Sequence, residues 1–274
     1  MIKIQRSRTT DRLHAGFTGD GLFVKLTGLA QARLSNPDKI DWTGILGDWK
    51  KIKPVLLADS FGKCGYCEAP TSAVAYGDVE HFRPKSVYWW LALCVDNYVF
   101  ACQICNQMHK KDEFPISGKR LPAPRLPKVL PKTDRALRKL VGAISPDPAT
   151  ANEVELLTAW LIEEPDLLHP YLEDPEPLFA WKAIESNREV ELVVPERASP
   201  RSRRAVDAAI KYLGLNRETL ARQRYTVYAS LKNSVRTWKA GDPQSLEHIY
   251  YLCESEQPFA GMCRYFARLA GAAI

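Results

Sequence analysis

No apolar run in this 274-residue sequence is long enough to cross a bilayer: the longest, Val87 to Val95, falls far short of the roughly twenty residues that a helical span needs. The opening MIKIQRSRTTDRLHAGF lacks the apolar centre of a secretory signal, so neither export nor a membrane partner is expected. Seven cysteines are too few to staple a chain of this size, which excludes a disulfide scaffold, and four of them fall in metal-type spacing. Both facts point to a reducing compartment, the cytoplasm being the simplest. No internal repeat is visible, which excludes a stacked-repeat architecture.

What the chain does have is a modest positive balance. The net charge of +6 and pI near 8.9 fit a polyanionic partner, because clustered Lys and Arg gain affinity for phosphates by releasing counterions. Many basic proteins bind no nucleic acid, so the charge alone does not decide the matter.

In chain order, residues 1–60 read as a helical scaffold. Phe23, Leu26, Leu29 and Ala30 recur at helical spacing before Ser35-Asn36-Pro37 breaks the pattern, and Trp49 to Ala58 gives a second helix containing Pro54. Residues 61–118 hold the cysteine pairs. Residues 119–150 form a Pro-rich linker in which Pro122, Pro124, Pro127 and Pro131 deny backbone donors and Arg120, Arg125, Lys128 and Lys132 are interleaved. Residues 151–274 carry a hairpin between Leu178 and Val194, then helices. Ser199-Pro200 starts one of these, Gly214 ends it, and Asn216 is placed to cap the next, whose stripe is Leu220, Val227, Leu231, Val235 and Trp238. On that reading Arg217 and Arg224 lie on the surface. Cys253 and Cys263 read as core residues.

The chemistry is concentrated between Cys64 and Lys111, in CGYCEAPTSAVAYGDVEHFRPKSVYWWLALCVDNYVFACQICNQMHKK. Two Cys-x-x-Cys pairs, Cys64/Cys67 and Cys102/Cys105, supply four soft thiolates, the usual filling of a tetrahedral structural Zn²⁺ site. Such a closed site carries a charge of about −2, which Lys63, Arg83 and Lys85 stand near enough in sequence to offset. A redox dithiol is the alternative, disfavoured because two pairs flank one segment. Taken alone, His81 would be a core histidine. Glu80 beside it, with Asn97 and Asn106 at their spacing between the knuckles, makes it a candidate base.

This order of carboxylate, imidazole and amides resembles the HNH, or ββα-metal, endonuclease superfamily in its four-cysteine form. FGKCGYCE, DVEHFRPK, NYVFACQICNQ and KKDEFP, followed by LLHPYLEDPE and YLGLNR, are similar more narrowly to the HNH subunit of Septu-type anti-phage systems. The resemblance implies an α+β, mostly helical protein. A central ββα-metal core with structural zinc would be flanked by N-terminal helices and by a C-terminal hairpin plus helical region. It implies His81 as general base, Glu80 and Asn106 as ligands of a catalytic Mg²⁺ or Mn²⁺, and Asn97 as the residue that orients the strand carrying His81. Glu80 stands where Asp is commoner, and Asn106 where His is commoner. Both keep an oxygen ligand, with Asp78 and His109 as alternatives. It also implies an ATPase partner of the ABC or SMC-like type and a nucleic-acid substrate, DNA before RNA.

On the residues themselves, an imidazole titrates near cytoplasmic pH and suits the activation of water, and hard cations suit the leaving oxygen. Arg83, Lys85, Lys110 and Lys111 are the phosphate-binding candidates, Lys110 because it lies four residues after Asn106 on a short helix. The Trp89 to Leu93 stretch is expected to pack the hairpin onto the helices, and His169 to be scaffold. The rival reading is a zinc-knuckle module that binds nucleic acid or protein without cutting.

Overall fold

Period-two alternation along a single strand decides how this molecule is put together. In the computed structural model, which describes residues 1–45, 49–72 and 75–274, strand β2 (Tyr98–Ala101) is buried along its whole length. Successive side chains point to opposite faces, and here each face meets a different core. Val99 and Ala101 join a core with the knuckle cysteines and the C-terminal helices. Tyr98 and Phe100 join another with Phe17, Ile52 and Leu56. Strand β1 (Asp78–His81) pairs antiparallel with β2 in the register Asp78 to Ala101 and His81 to Tyr98. Gly77 admits no side chain at the entry to β1: its φ is +58°, and a Cβ would lie 2.4 Å from the Phe100 ring.

Helix α1 (Gly19–Ser35) buries Leu22, Leu26, Leu29 and Ala30 against Trp89, Trp90 and Leu91 from the β1–β2 connection, so those aromatics do pack the hairpin onto helices. Helix α2 (Trp49–Asp59) contains Pro54 past its first turn. Helices α3 (Asp134–Gly142) and α4 (Glu153–Trp160) were not visible in the sequence, and α3 falls within the stretch read as a linker.

Hairpin β3 (Ala180–Ile184) and β4 (Glu189–Val193) leads to α5 (Pro200–Leu213), α6 (Glu218–Lys239), α7 (Gln244–Cys253) and α8 (Ala260–Leu269). The architecture is α+β and mostly helical, with two small sheets. Ser199 caps α5 by accepting from the Ser202 amide, and Gly214 ends it at φ +60°. Asn216 does not cap α6. Its amide pairs with both backbone groups of Leu192, at 2.8 and 2.9 Å, and so ties the helical region to β4. Cys253 and Cys263 are buried. Among the described residues no helix is long and apolar enough to cross a membrane.

Candidate metal centre and active-site cleft

The four cysteines converge. The Sγ atoms of Cys64, Cys67, Cys102 and Cys105 all lie within 4.8 Å of one another, with Cys67 and Cys102 at 4.0 Å. Zinc–sulfur bonds of about 2.3 Å imply sulfur–sulfur edges of about 3.8 Å, so the cluster can hold a zinc ion with small adjustments. Its backbone is preset: the Gly65 amide donates to the Phe100 carbonyl at 2.8 Å, and the Cys105 amide donates to Cys102 Sγ at 3.4 Å. Both knuckles are therefore hung from β2.

The cation nearest the sulfurs comes from the far end of the chain. Arg217 Nη1 stands 3.6 Å from Cys105 Sγ. Lys63 turns away to the carbonyls of Ser255 and Gln257. Arg224, expected on the surface, is 1% exposed, donates to the Leu215 carbonyl at 2.6 Å and lies 4.6 Å over the Trp181 ring.

On the same face of the hairpin as Val99 and Ala101, β1 meets a short π-helix, Ile104–Lys110, in which the Lys111 amide reaches the Asn106 carbonyl five residues back. Asp78 and Glu80, two apart on β1, face it together. Asn106 Nδ2 donates to Asp78 Oδ2 at 3.0 Å, leaving Oδ1 as the acceptor of that amide. Lys110 Nζ lies 2.5 Å from Glu80 Oε1 and donates to the His81 carbonyl. Burial pushes the Glu80 carboxyl above its ordinary range, with the Lys110 ammonium opposing it.

His81 Nε2 is 3.0 Å from the Ala92 carbonyl, which also accepts from the Tyr98 hydroxyl at 2.6 Å. A carbonyl only accepts, so Nε2 carries the hydrogen and Nδ1 keeps the basic lone pair. Burial lowers the imidazole to about 4, so at neutral pH it is uncharged. Asn97 is fully buried: its Oδ1 accepts from the Arg83 amide at 2.9 Å and its Nδ2 donates to the Arg83 carbonyl at 3.0 Å, pinning the chain that leaves His81.

Glu80, His81, Asn106, Lys85 and Lys111 line one cleft of about 230 Å³. Arg83 does not. It is buried, donating to Glu163 Oε2 at 2.6 Å and stacked 4.3 Å from Trp160, so it has no free face for a phosphate. Lys110 is likewise buried on Glu80 rather than presented to solvent.

No family model and no solved structure matches the chain. Among curated proteins, it is 31% identical over 131 residues to Septu protein PtuB of Bacillus mycoides (strain KBAB4), a match that covers 43% of this chain and 44% of that protein. Over those 131 residues the chain is a homologue of Septu protein PtuB. It aligns with less than half of that relative's length.

Sequence reasoning missed Asp112 and Gln107, which also line the cleft; Asp112 was visible only as part of KKDEFP. It also missed what His109 packs on: its ring covers Gly214, where a Cβ would sit 2.4 Å from the imidazole, so His109 joins the π-helix to the end of α5.

Proposed function

We propose that the protein is a metal-dependent HNH endonuclease that hydrolyses phosphodiester bonds in nucleic acid, with DNA as the favoured substrate. In this reading it is the effector of an anti-phage defence system and works with an ABC or SMC-like ATPase. The single observation that carries the proposal is the cleft in which a neutral His81, oriented through Nε2, adjoins Glu80 and Asn106 on a hairpin shared with the cysteine cluster.

The donor set fits a hard cation. Glu80 Oε1 is buried in an ion pair with the Lys110 ammonium at 2.5 Å, so the position favours positive charge. Glu80 and Asn106 would hold Mg²⁺ or Mn²⁺ there, and the ion, when bound, neutralises charge on the leaving oxygen. His81 takes a proton from water at Nδ1, since a base lowered to about 4 is fully available at neutral pH. Asn97 keeps the His81 segment in place, and Lys85 and Lys111 meet the phosphates. The zinc is structural, because four thiolates leave no open position.

The test is cleavage of supercoiled plasmid and of total tRNA in Mg²⁺ and in Mn²⁺, by wild type and His81→Ala, with and without the candidate ATPase. Cutting by wild type that disappears in the variant is expected. Equal nucleic-acid binding by both proteins with no cutting by either, under every combination, would replace this reading with a zinc-knuckle binding module.

A further inference from the structure

The α6 stretch Leu220–Lys239 carries five cations and no acidic residue, but Arg224 there is buried and Arg222 and Lys232 are ion-paired; the segment from Phe114 to Thr133 has the same charge and leaves it exposed. It holds Lys119, Arg120, Arg125, Lys128 and Lys132 and no acidic residue, so twenty residues carry +5 of the net +6 and the other 254 are close to neutral. All five cations are exposed. Several surface cations elsewhere are paired: Arg138 with Asp20 and Asp134, Arg204 with Glu164 and Asp166, Lys232 with Glu185, Arg268 with Glu176. Among the described residues Lys119, Arg125, Lys128 and Lys132 have no ion-pair partner.

A loose, solvated linker is the ordinary explanation of unpaired cations, but this segment is fastened down. The amides of Ser117, Gly118 and Lys119 donate to the carbonyls of Glu164, Glu163 and Ile162, and the Leu121 amide donates to Glu163 Oε1 at 2.9 Å. Leu121, Leu126 and Leu130 pack against the core built from α1 and the Trp89–Trp90 turn. Leucines point inward and cations outward along an extended, proline-rich strap. Such chain advances about 3.1 Å per residue, so Arg120 to Lys128 spreads over up to roughly 25 Å before the bend at Lys128-Val129. A small anion needs donors that converge. A row of donors on a rigid track matches a linear polyphosphate.

The strap also leaves from the cleft. Lys111 lines it, and Phe114, three residues on, is wedged edge-on against Phe82 and Tyr88 at 5.3 and 5.5 Å, fixing where the strap begins. We propose that the strap binds the sugar-phosphate backbone of a nucleic-acid strand and leads that strand to the His81 cleft. The binding stands without the nuclease reading; only what the strand meets at the end of the track rests on it.

The experiment is fluorescence anisotropy of the full-length, zinc-loaded protein, without added Mg²⁺ or Mn²⁺. Labelled single-stranded DNA, duplex DNA and RNA of equal length are titrated over a range of salt. The triple variant R125Q/K128Q/K132Q is expected to bind at least about tenfold more weakly, with a log–log salt slope shallower by about two to three. R222Q/K232Q/K239Q removes the same charge from α6 and is expected to change affinity by less than about twofold. Unaltered binding by the strap variant, equal losses in both triples, or no binding by wild type would each overturn the proposal. Displacement of DNA by polyglutamate as readily as by unlabelled DNA would overturn it in favour of an acidic protein partner. Loss of binding in the strap variant together with intact binding but no cutting by His81→Ala would support both readings. An unaltered strap variant beside an inactive His81→Ala would sink only the strap.

Discussion

The two centres that the β1–β2 hairpin carries solve opposite problems with the same backbone. In one, four soft sulfurs close around a point, their own backbone amides and Arg217 attend to them, and no position is left open. In the other, an oxygen-bearing set of Glu80 and Asn106 lies against a single oriented imidazole and an open cleft. Closure is a device for stability and openness a device for reaction. The hairpin lets a rigid centre hold the open cleft at fixed distance.

Breaking the closed centre has the largest expected effect. Cys102→Ser, or stripping zinc with a chelator, removes a contribution on the order of 10 kcal/mol, more than most domains can lose. Loss of the cooperative melt by circular dichroism, with about one zinc per wild-type chain by elemental analysis, is the expected result. A metal-free chain that melted like wild type would show that the cluster does not hold the fold. In the open centre, His81→Ala is expected to lower cleavage by about a hundredfold to ten-thousandfold while retaining zinc and a cooperative melt. An unfolded variant would mean that the two centres are not separable.

Glu163→Gln sharpens the comparison from behind the cleft. Glu163 is fully buried and accepts from Arg83, Tyr88 and the Leu121 amide. Removing its charge strands the buried Arg83 guanidinium, at an expected cost of about 3 kcal/mol in urea unfolding. An unchanged midpoint would refute that accounting.

The smallest effect distinguishes two imidazoles. His81 lines the cleft, whereas His169 is pressed against Phe82 at 4.5 Å with Arg6 and Arg83 nearby. Burial, aided by those two cations, holds His169 well below its ordinary 6.5. The unfolded chain therefore takes up a proton that the folded one refuses, so stability falls as pH drops below about 6.5 and recovers above it. His169→Phe is expected to make that acid limb shallower by the share of His169, while His81, itself lowered to about 4, keeps its own, read as melting temperature between pH 7 and pH 5. A limb of unchanged slope would remove His169 from the explanation.

Much of this layout could be read from residue order, because it rests on local rules. Cysteine spacing located the cluster, Ser199-Pro200 and Gly214 bounded α5, and helical periodicity found α1. What escaped depended on partners distant in sequence. An arginine within an apolar stripe reads as solvent-facing until Trp181 and the Leu215 carbonyl come to cover it, as they do for Arg224. Asn216 beside a helix start reads as a cap until β4 arrives with two backbone groups to satisfy. Helix α3 was hidden by the prolines before it. In the cleft, Glu80 and His81 were conspicuous by adjacency, but the burial of Lys110 on Glu80 depends on how β1 and the π-helix meet.

That π-helix gives length itself a meaning. Its wide turn spends one residue more than an α-helix would need to carry the chain the same way, and within it Asn106 meets Asp78 and Lys110 meets Glu80. Deleting the exposed Met108 would leave every functional side chain in the sequence and put them out of step with the strand. A search by residue type alone would then score the shortened protein as intact, whereas a fixed-interval pattern would register the lost step between Asn106 and Lys110.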